Sequence, residues 1–128
     1  MRITVKPKIL VVEDQPEALS TMMRLLERAG FDVFGAQTGM DGIRLSQKQE
    51  FDLIVLDVNL PEKNGFEVCA WLKQDFRFSR TPVFFASGQW NEENRRRALE
   101  LGAAELIDKP FDALAFVALI FSHLKSAS

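Results

Sequence analysis

The chain has 128 residues, of which 47% are hydrophobic and 27% charged, and its formal net charge at pH 7 is −2. This length and composition are typical of one globular domain, and the weak net charge argues against a basic surface that draws the protein to nucleic acid or anionic lipid. The single cysteine, Cys69, and the single histidine, His123, exclude an internal disulfide framework and give little support to a cysteine–histidine catalytic pair.

No apolar stretch reaches the length of a membrane span, and the basic N-terminal residues precede only a short apolar run rather than a signal-peptide core. We therefore expect a cytoplasmic protein without membrane contact. His123 lies near the C-terminus without an evident partner, so we interpret it as a surface or interface residue.

Short apolar runs, rich in branched residues, alternate with helical patterns along the chain. Such runs are typical of strands that are buried on both faces. The predicted strands are residues 9–12, 31–36, 51–56, 83–86 and 104–107. A helix follows each strand, and the residues suited to its first turn or N-cap are Pro16, Thr38, Asn64, Asn91 and Asp112. Gly30 and Gly102 are placed to end the first and fourth helices.

Regular alternation of strand and helix, with short connections, predicts a parallel sheet with helices on both faces. The expected fold is α/β: a doubly wound, flavodoxin-like five-stranded parallel sheet with strand order 2-1-3-4-5 and five helices. No linker, repeat or low-complexity tract interrupts the pattern. Residues 1–128 are therefore predicted to form a single domain with a core over about residues 8–125.

Polar side chains follow four of these strands at the point where each strand ends. They are Glu13 and Asp14, Asp57 and Asn59, Ser87, and Lys109. Because the carboxyl ends of parallel strands meet at one edge of the sheet, we expect these side chains to share one cleft. Like charges about 4 Å apart repel by about 4 kcal/mol at an effective dielectric constant of about 20, so three clustered carboxylates require a cation.

An oxygen-only ligand set suits Mg²⁺ far better than zinc. Glu13, Asp14 and Asp57 are therefore predicted to bind Mg²⁺, and the backbone carbonyl of Asn59 could complete the site.

Lys109 and Ser87 indicate what such a metal would be used for. Mg²⁺ and Lys109 can both contact the oxygens of a phosphoryl group carried by Asp57, and Ser87 can donate a hydrogen bond to it. Formation of an aspartyl phosphate by a carboxylate nucleophile is known chemistry. Asp57 is therefore predicted to be a phosphoryl acceptor.

Four motifs in this order resemble those of response-regulator receiver domains, the phosphoacceptor domains of two-component signalling. The motifs are Val11-Val12-Glu13-Asp14, residues 56–65, Ala86-Ser87-Gly88 and Lys109-Pro110-Phe111. The resemblance covers about residues 8–124 and therefore suggests a single receiver domain.

The resemblance implies that Asp57 accepts a phosphoryl group from a phosphohistidine on a sensor histidine kinase or a histidine phosphotransfer protein. It further implies that Glu13 and Asp14 bind Mg²⁺, and that Ser87 and Lys109 bind the phosphoryl group.

A cis peptide bond before Pro110 is also implied by the resemblance. The chain departs from the family at the switch position, Leu106, where an aromatic residue usually turns inward on phosphorylation. A conformational switch based on an aromatic side chain at position 106 is therefore not supported by this sequence, although the hydroxyl of Ser87 could still move. Trp90 follows Ser87 closely and is interpreted either as a loop anchor or as an exposed contact that senses the site.

Two surface patterns bear on partners. The arginine run at residues 95–97 is interpreted as the solvated face of the fourth helix, balanced by nearby glutamates, so we expect no direct contact with nucleic acid. The last helix carries more apolar residues than one buried stripe needs. The excess could contact a partner, and a homodimer through the last two helices is one interpretation.

The leading functional hypothesis is a phosphorylation-dependent switch that relays its signal to an unknown downstream protein. No output domain is recognised in this sequence, so we expect the signal to leave through a protein contact unless the chain is part of a longer regulator.

One alternative is a Mg²⁺-dependent aspartyl-phosphate phosphatase. Such enzymes need a second acid two residues after the nucleophile, where this chain has Asn59. We therefore expect no enzyme beyond Mg²⁺-assisted self-phosphorylation and slow self-dephosphorylation.

A flavin or nucleotide module of the same fold is disfavoured because the acidic loop at residues 13–16 would repel phosphate unless a metal intervenes. A degenerate receiver that acts as an interaction module is supported by Leu106 alone.

Overall fold

The structure is a computed structural model that describes residues 5–125. Within this range, five parallel strands form one sheet in the order β2-β1-β3-β4-β5. The strands are β1 (Lys8–Val12), β2 (Asp32–Ala36), β3 (Leu53–Asp57), β4 (Val83–Ser87) and β5 (Glu105–Asp108). The helices are α1 (Pro16–Arg28), α2 (Gly39–Lys48), α3 (Gly65–Lys73), α4 (Glu92–Glu100) and α5 (Ala113–Lys125), and a 3₁₀ turn, Phe76–Phe78, precedes β4. The predicted fold class and strand order are confirmed.

The strand boundaries differ from prediction by one or two residues, most visibly in β3. Phe51 is buried but precedes the strand, which begins at Leu53 and ends with Asp57 itself. An apolar pattern reports burial, whereas the ladder of backbone hydrogen bonds decides which residues belong to the strand. As a result, Asp57 is held within the sheet and not in the loop that follows.

Two apolar cores lie on opposite faces of the sheet, because successive residues of each strand point to opposite sides. In β1, Leu10 packs with residues of α2 and α3, while Val11 packs with residues of α1 and α5. The three interior strands, β1, β3 and β4, carry buried side chains on both faces, which explains their continuous apolar runs. Among the described residues, no helix combines the length and apolarity needed to cross a bilayer.

The helices begin at the residues that the sequence predicted. Pro16 is the first residue of α1. The N-caps that accept a hydrogen bond from a backbone N–H in the first turn are Thr38, Asn64, Asn91 and Asp112. Gly30 and Gly102 follow the ends of α1 and α4 with φ of 102° and 84°, a region that favours glycine. These sharp helix boundaries keep the loops short and place the carboxyl ends of the strands beside the helix starts.

The start of α3 lies directly against the end of β3. The backbone N–H of Gly65 donates to the carbonyl oxygen of Val58 at 3.0 Å. A Cβ added at Gly65 would collide with the carbonyl oxygen of Asp57 and come within 3.1 Å of the Cα of Val58. Only glycine therefore permits this approach, which supports the backbone on which Asp57 is mounted.

We predict that Gly65→Ala lowers the free energy of unfolding by about 1–3 kcal/mol, because the backbone around Asp57 must move to admit the methyl group. Urea unfolding followed by circular dichroism measures the loss. Gly88→Ala is the control, since Gly88 is exposed and its added Cβ would meet nothing within 4 Å. The control is expected to stay within about 0.5 kcal/mol of the wild type. Equal stability of both variants would contradict the close approach.

Candidate functional site

A lysine and two carboxylates from three different strand ends meet at the carboxyl edge of the sheet. Lys109 directly follows β5, and its Nζ donates to Oε1 of Glu13 and to Oδ2 of Asp57, each at 2.6 Å. Glu13 and Asp57 are only 2% and 6% exposed. One ammonium group thus neutralises part of the charge of two buried carboxylates, as burial of such charges requires.

The second oxygen of each carboxylate is held by its own loop. Oδ1 of Asp57 accepts a hydrogen bond from the backbone N–H of Asn59 at 2.8 Å. Oε2 of Glu13 accepts one from the backbone N–H of Gln15 at 3.1 Å. Both carboxylates are therefore oriented from two sides, by Lys109 and by the turn that follows the strand.

Asp14 adds a third carboxylate to this pair. One carboxylate oxygen from each of Glu13, Asp14 and Asp57 can be chosen so that all three lie within 4.8 Å of one another. Asp14 is half-buried, so the cluster is open on one side. Three carboxylates and one ammonium group leave two negative charges, which a divalent cation would neutralise. An oxygen-only donor set that is open on one side fits Mg²⁺, which keeps several waters when bound.

Burial and the ion pair have opposing effects on the pKa values of Glu13 and Lys109. Burial raises the pKa of Glu13 above its ordinary value, and the hydrogen bond from Lys109 offsets only part of that effect. Burial alone would lower the pKa of Lys109, but its hydrogen bonds to Asp57 and Glu13 outweigh burial and raise it. Lys109 is therefore firmly charged, and a further cation would stabilise the ionised form of Glu13.

Ser87 is the last residue of β4 and lies at the same edge, but its hydroxyl is engaged elsewhere. Its Oγ donates to the carbonyl oxygen of Gln89 and accepts from the N–H of Gln89, both at 3.1 Å. The backbone carbonyl of Ser87 accepts from the N–H of Lys109 at 2.9 Å. Ser87 is thus anchored next to Lys109, while its hydroxyl is satisfied by its own loop.

The family model described as the response regulator receiver domain matches residues 9–121. The chain belongs to this family. Among its relatives, the transcriptional activator protein IrlR of Burkholderia pseudomallei is 36% identical over 118 residues, which cover 92% of this chain and 50% of IrlR. The alkaline phosphatase synthesis transcriptional regulatory protein PhoP of Bacillus subtilis is 38% identical over 104 residues, or 81% of this chain and 42% of PhoP. The chain therefore spans about half the length of these curated relatives.

Solved structures show the same fold. The non-phosphorylated receiver domain of HemR from Leptospira biflexa has a TM-score of 0.84 and 34% identity, covering 93% of this chain and 94% of that one. The chemotaxis protein CheY4 of Vibrio cholerae has a TM-score of 0.88 and 25% identity, covering 92% and 98%.

Three further sequence predictions concern Pro110, Leu106 and Trp90. The Lys109–Pro110 bond is cis, as the family resemblance implies. Leu106, the predicted switch position, is partly buried and packs against the core on the α2–α3 side. Trp90 is half-buried and its indole N–H donates to the carbonyl oxygen of Ile107 at 3.0 Å. Of the two interpretations of Trp90, the structure favours the loop anchor.

His123 is half-buried and has partners that the sequence does not reveal. Its Nε2 lies 2.9 Å from Oε2 of Glu105, and its ring centroid lies 5.2 Å from that of Phe84. Helix α5 runs back along β4 and β5, so residues far apart in sequence become neighbours. Sequence spacing does not report such a contact.

The arginine run at residues 95–97 lies on the exposed face of α4, as interpreted from the sequence. Arg96 pairs with Glu100 at 3.5 Å, and the guanidinium of Arg97 lies 5.0 Å from the centroid of the Phe66 ring. In α5, Phe116 and Ile120 are buried. Leu114 is 83% exposed, so part of the apolar excess does face solvent.

A groove that the sequence did not reveal runs beside the charged cluster, between α1 and the start of α5. Its volume is about 840 Å³. Glu13 and Lys109 are among the residues that line it, and most of the wall is apolar. The apolar wall is made by Ala18, Met22, Leu25, Pro110, Phe111 and Ala113. Periodicity could have indicated it, because α1 presents half-buried apolar residues beside its buried stripe.

We predict that Lys109→Met lowers the free energy of unfolding at neutral pH by roughly 1–3 kcal/mol, because two buried carboxylates lose their shared cation. The lower end allows for solvent screening of the half-exposed lysine. Lys48→Met, in the exposed last turn of α2, is the control and should change stability little. Urea unfolding measures both.

The pH dependence has a definite sign. Lys109 lowers the pKa of Glu13, so its removal raises that pKa further. A raised carboxyl pKa favours the folded state below that pKa and costs stability as pH rises through it. The loss of unfolding free energy in Lys109→Met, relative to the wild type, should therefore be smaller at mildly acidic pH and larger toward neutral pH. A deficit that is independent of pH would contradict the ion-pair explanation.

Proposed function

We propose that this receiver domain is a phosphorylation switch in which Asp57 accepts a phosphoryl group from the phosphohistidine of a sensor histidine kinase or a histidine phosphotransfer protein. The observation that carries the proposal is the double ion pair of Lys109 with Asp57 and Glu13, set beside a third carboxylate. Membership of the receiver family supports the same function. We further propose that residues 1–128 form one receiver domain with its core over about residues 8–125.

In the proposed reaction, a carboxylate oxygen of Asp57 attacks phosphorus. The bond between phosphorus and the donor's imidazole nitrogen breaks, and the imidazole keeps the electron pair. The backbone N–H of Asn59 holds the carboxylate in place during the attack. Lys109 stays on Glu13 and exchanges its contact with Asp57 for one with a phosphoryl oxygen, as positioning and charge neutralisation require.

The metal site is part of the same proposal. Glu13, Asp14 and Asp57 would hold Mg²⁺, and the backbone carbonyl of Asn59 would complete the set. Bound Mg²⁺ would supply neutralisation of the charge that develops between the carboxylate and the phosphoryl oxygens. Ser87 would bind the phosphoryl group once its hydroxyl leaves Gln89.

The groove along α1 supports the proposal that the phosphodonor presents its histidine on a helix. Its wall is mainly apolar and it opens beside Glu13 and Lys109, so a helix packed there would carry its histidine close to Asp57. Arg24, Arg28 and Glu17 at the edge offer charged contacts that can select among donors.

We infer an output through protein contacts. Leu114 and Phe121 of α5 are exposed, which supports a partner surface or a homodimer through the last two helices. The relatives' names describe transcriptional regulators, so the downstream protein is proposed to act in gene regulation. Phosphatase turnover is not favoured, because Asn59 stands where a general acid is needed.

The acceptor is tested by mass spectrometry of the intact protein after incubation with Mg²⁺ and acetyl phosphate. We expect the mass of one added phosphoryl group in the wild type and none in Asp57→Asn. Asp108→Asn is the matched control, since Asp108 is an exposed acid at the end of β5 on the same edge. It should keep the adduct. An adduct that persists in Asp57→Asn, or its absence in the wild type, would refute the acceptor assignment.

The metal site is tested by unfolding in rising Mg²⁺. Because Mg²⁺ would bind only the folded state, free Mg²⁺ at ten times its dissociation constant should add about 1.4 kcal/mol to the free energy of unfolding. A chelator should reverse the gain. Asp14→Asn should lose most of the gain, whereas Glu17→Gln, an exposed acid of α1, should retain it. An equal response in the two variants would place the cation elsewhere.

A further inference from the structure

Hydrogen bonds join the loop after β4 to the end of β5 in a closed ring. Ser87 holds both backbone polar groups of Gln89 through its hydroxyl. Trp90, the next residue, donates its indole N–H to the carbonyl oxygen of Ile107. The N–H of Lys109 closes the ring on the carbonyl oxygen of Ser87. The orientation of the Ser87 hydroxyl is therefore linked to the contact of Trp90 with β5.

Ser87 cannot serve its loop and a phosphoryl group with the same proton. Its single hydroxyl proton is directed at the carbonyl oxygen of Gln89 at 3.1 Å. To donate to a phosphoryl oxygen on Asp57, the hydroxyl must release Gln89. Gln89 is exposed, so water can satisfy its backbone groups after release, and the segment that carries Trp90 is then free to shift.

Trp90 is the side chain through which this segment reaches β5. Its ring packs against the same core cluster as Leu106, and its indole N–H makes the polar contact with Ile107. The side chain of Leu106 has no polar atom and cannot make such a contact. A movement of the Ser87–Trp90 segment therefore acts on β5 through the indole.

We propose that Trp90 is a positioning residue that holds the Ser87 hydroxyl on Gln89 in the unphosphorylated protein and releases Ile107 when Ser87 turns to the phosphoryl group. This inference rests on the proposed acceptor function of Asp57. It predicts that the indole hydrogen bond opposes phosphoryl binding. By reciprocity, phosphoryl binding weakens the contact of Trp90 with β5.

The test uses beryllofluoride, a mimic of the phosphoryl group, in the presence of Mg²⁺. Trp90→Phe keeps an aromatic ring but loses the N–H donor. Because one neutral hydrogen bond would be lost from the resting state only, we expect beryllofluoride to bind about 2- to 10-fold more tightly, as measured by calorimetry. Trp71→Phe, on the exposed side of α3, is the matched control and should bind as the wild type does.

Two further readouts separate positioning from a merely structural role. In Trp71→Phe, the remaining fluorescence comes from Trp90 and should change on beryllofluoride binding, whereas in Trp90→Phe it should change little. In a Ser87→Ala background, Trp90→Phe should no longer tighten binding, because the coupling passes through the Ser87 hydroxyl.

Unchanged or weaker binding by a folded Trp90→Phe variant would overturn the inference, as would tightening that persists in the Ser87→Ala background. Circular dichroism confirms that each variant is folded. If the wild type neither binds beryllofluoride nor gains a phosphoryl group, the acceptor function of Asp57 fails, and the inference fails with it.

Discussion

The double ion pair of Lys109 organises the edge of this receiver domain. Lys109 follows β5, at one side of the sheet, yet its Nζ reaches carboxylates at the ends of β1 and β3. Two buried carboxylates without it would each lack a counter-charge, a situation that folded proteins rarely tolerate. Lys109 also connects two neighbouring features. Its backbone N–H donates to the carbonyl oxygen of Ser87, and the residue lines the groove along α1. Charge balance and shape at this edge therefore depend on one side chain.

Backbone contacts position the two carboxylates that form the ion pairs with Lys109. Asp57 is the last residue of its strand, and the close approach of Gly65 leaves its carbonyl little freedom. The hydrogen bond from Asn59 then sets the side chain. Glu13 is held in the same way by Gln15. Rigid mounting of both carboxylates would allow the proposed cation and phosphoryl group to bind without prior rearrangement of the acids, which is the advantage of preorganised charge.

The sequence predicted those features that follow from topology and from local chemistry. Apolar runs located every strand, side-chain caps located helix starts, and the rule that parallel strands end at one edge placed Glu13, Asp57 and Lys109 together. Features that depend on side-chain direction or on packing across long separations were not predictable. The hydroxyl of Ser87 has two plausible directions, and only the structure shows that it faces Gln89. The contacts Trp90–Ile107 and His123–Glu105 join residues 17 and 18 positions apart, with no periodic signal to announce them.

The charge at the site also orders the steps of the proposed mechanism. Phosphorylation of Asp57 replaces one negative charge by a dianionic group, while Lys109 is already shared between Asp57 and Glu13. Burial raises the pKa of Glu13 even with that lysine present, so the ionised form of this carboxylate is costly to keep buried. A phosphoryl group that arrived first would meet uncompensated repulsion in a region of low dielectric constant. A divalent cation held by Glu13, Asp14 and Asp57 would lower this repulsion, and Lys109 would then exchange the carboxylate of Asp57 for a phosphoryl oxygen while remaining on Glu13.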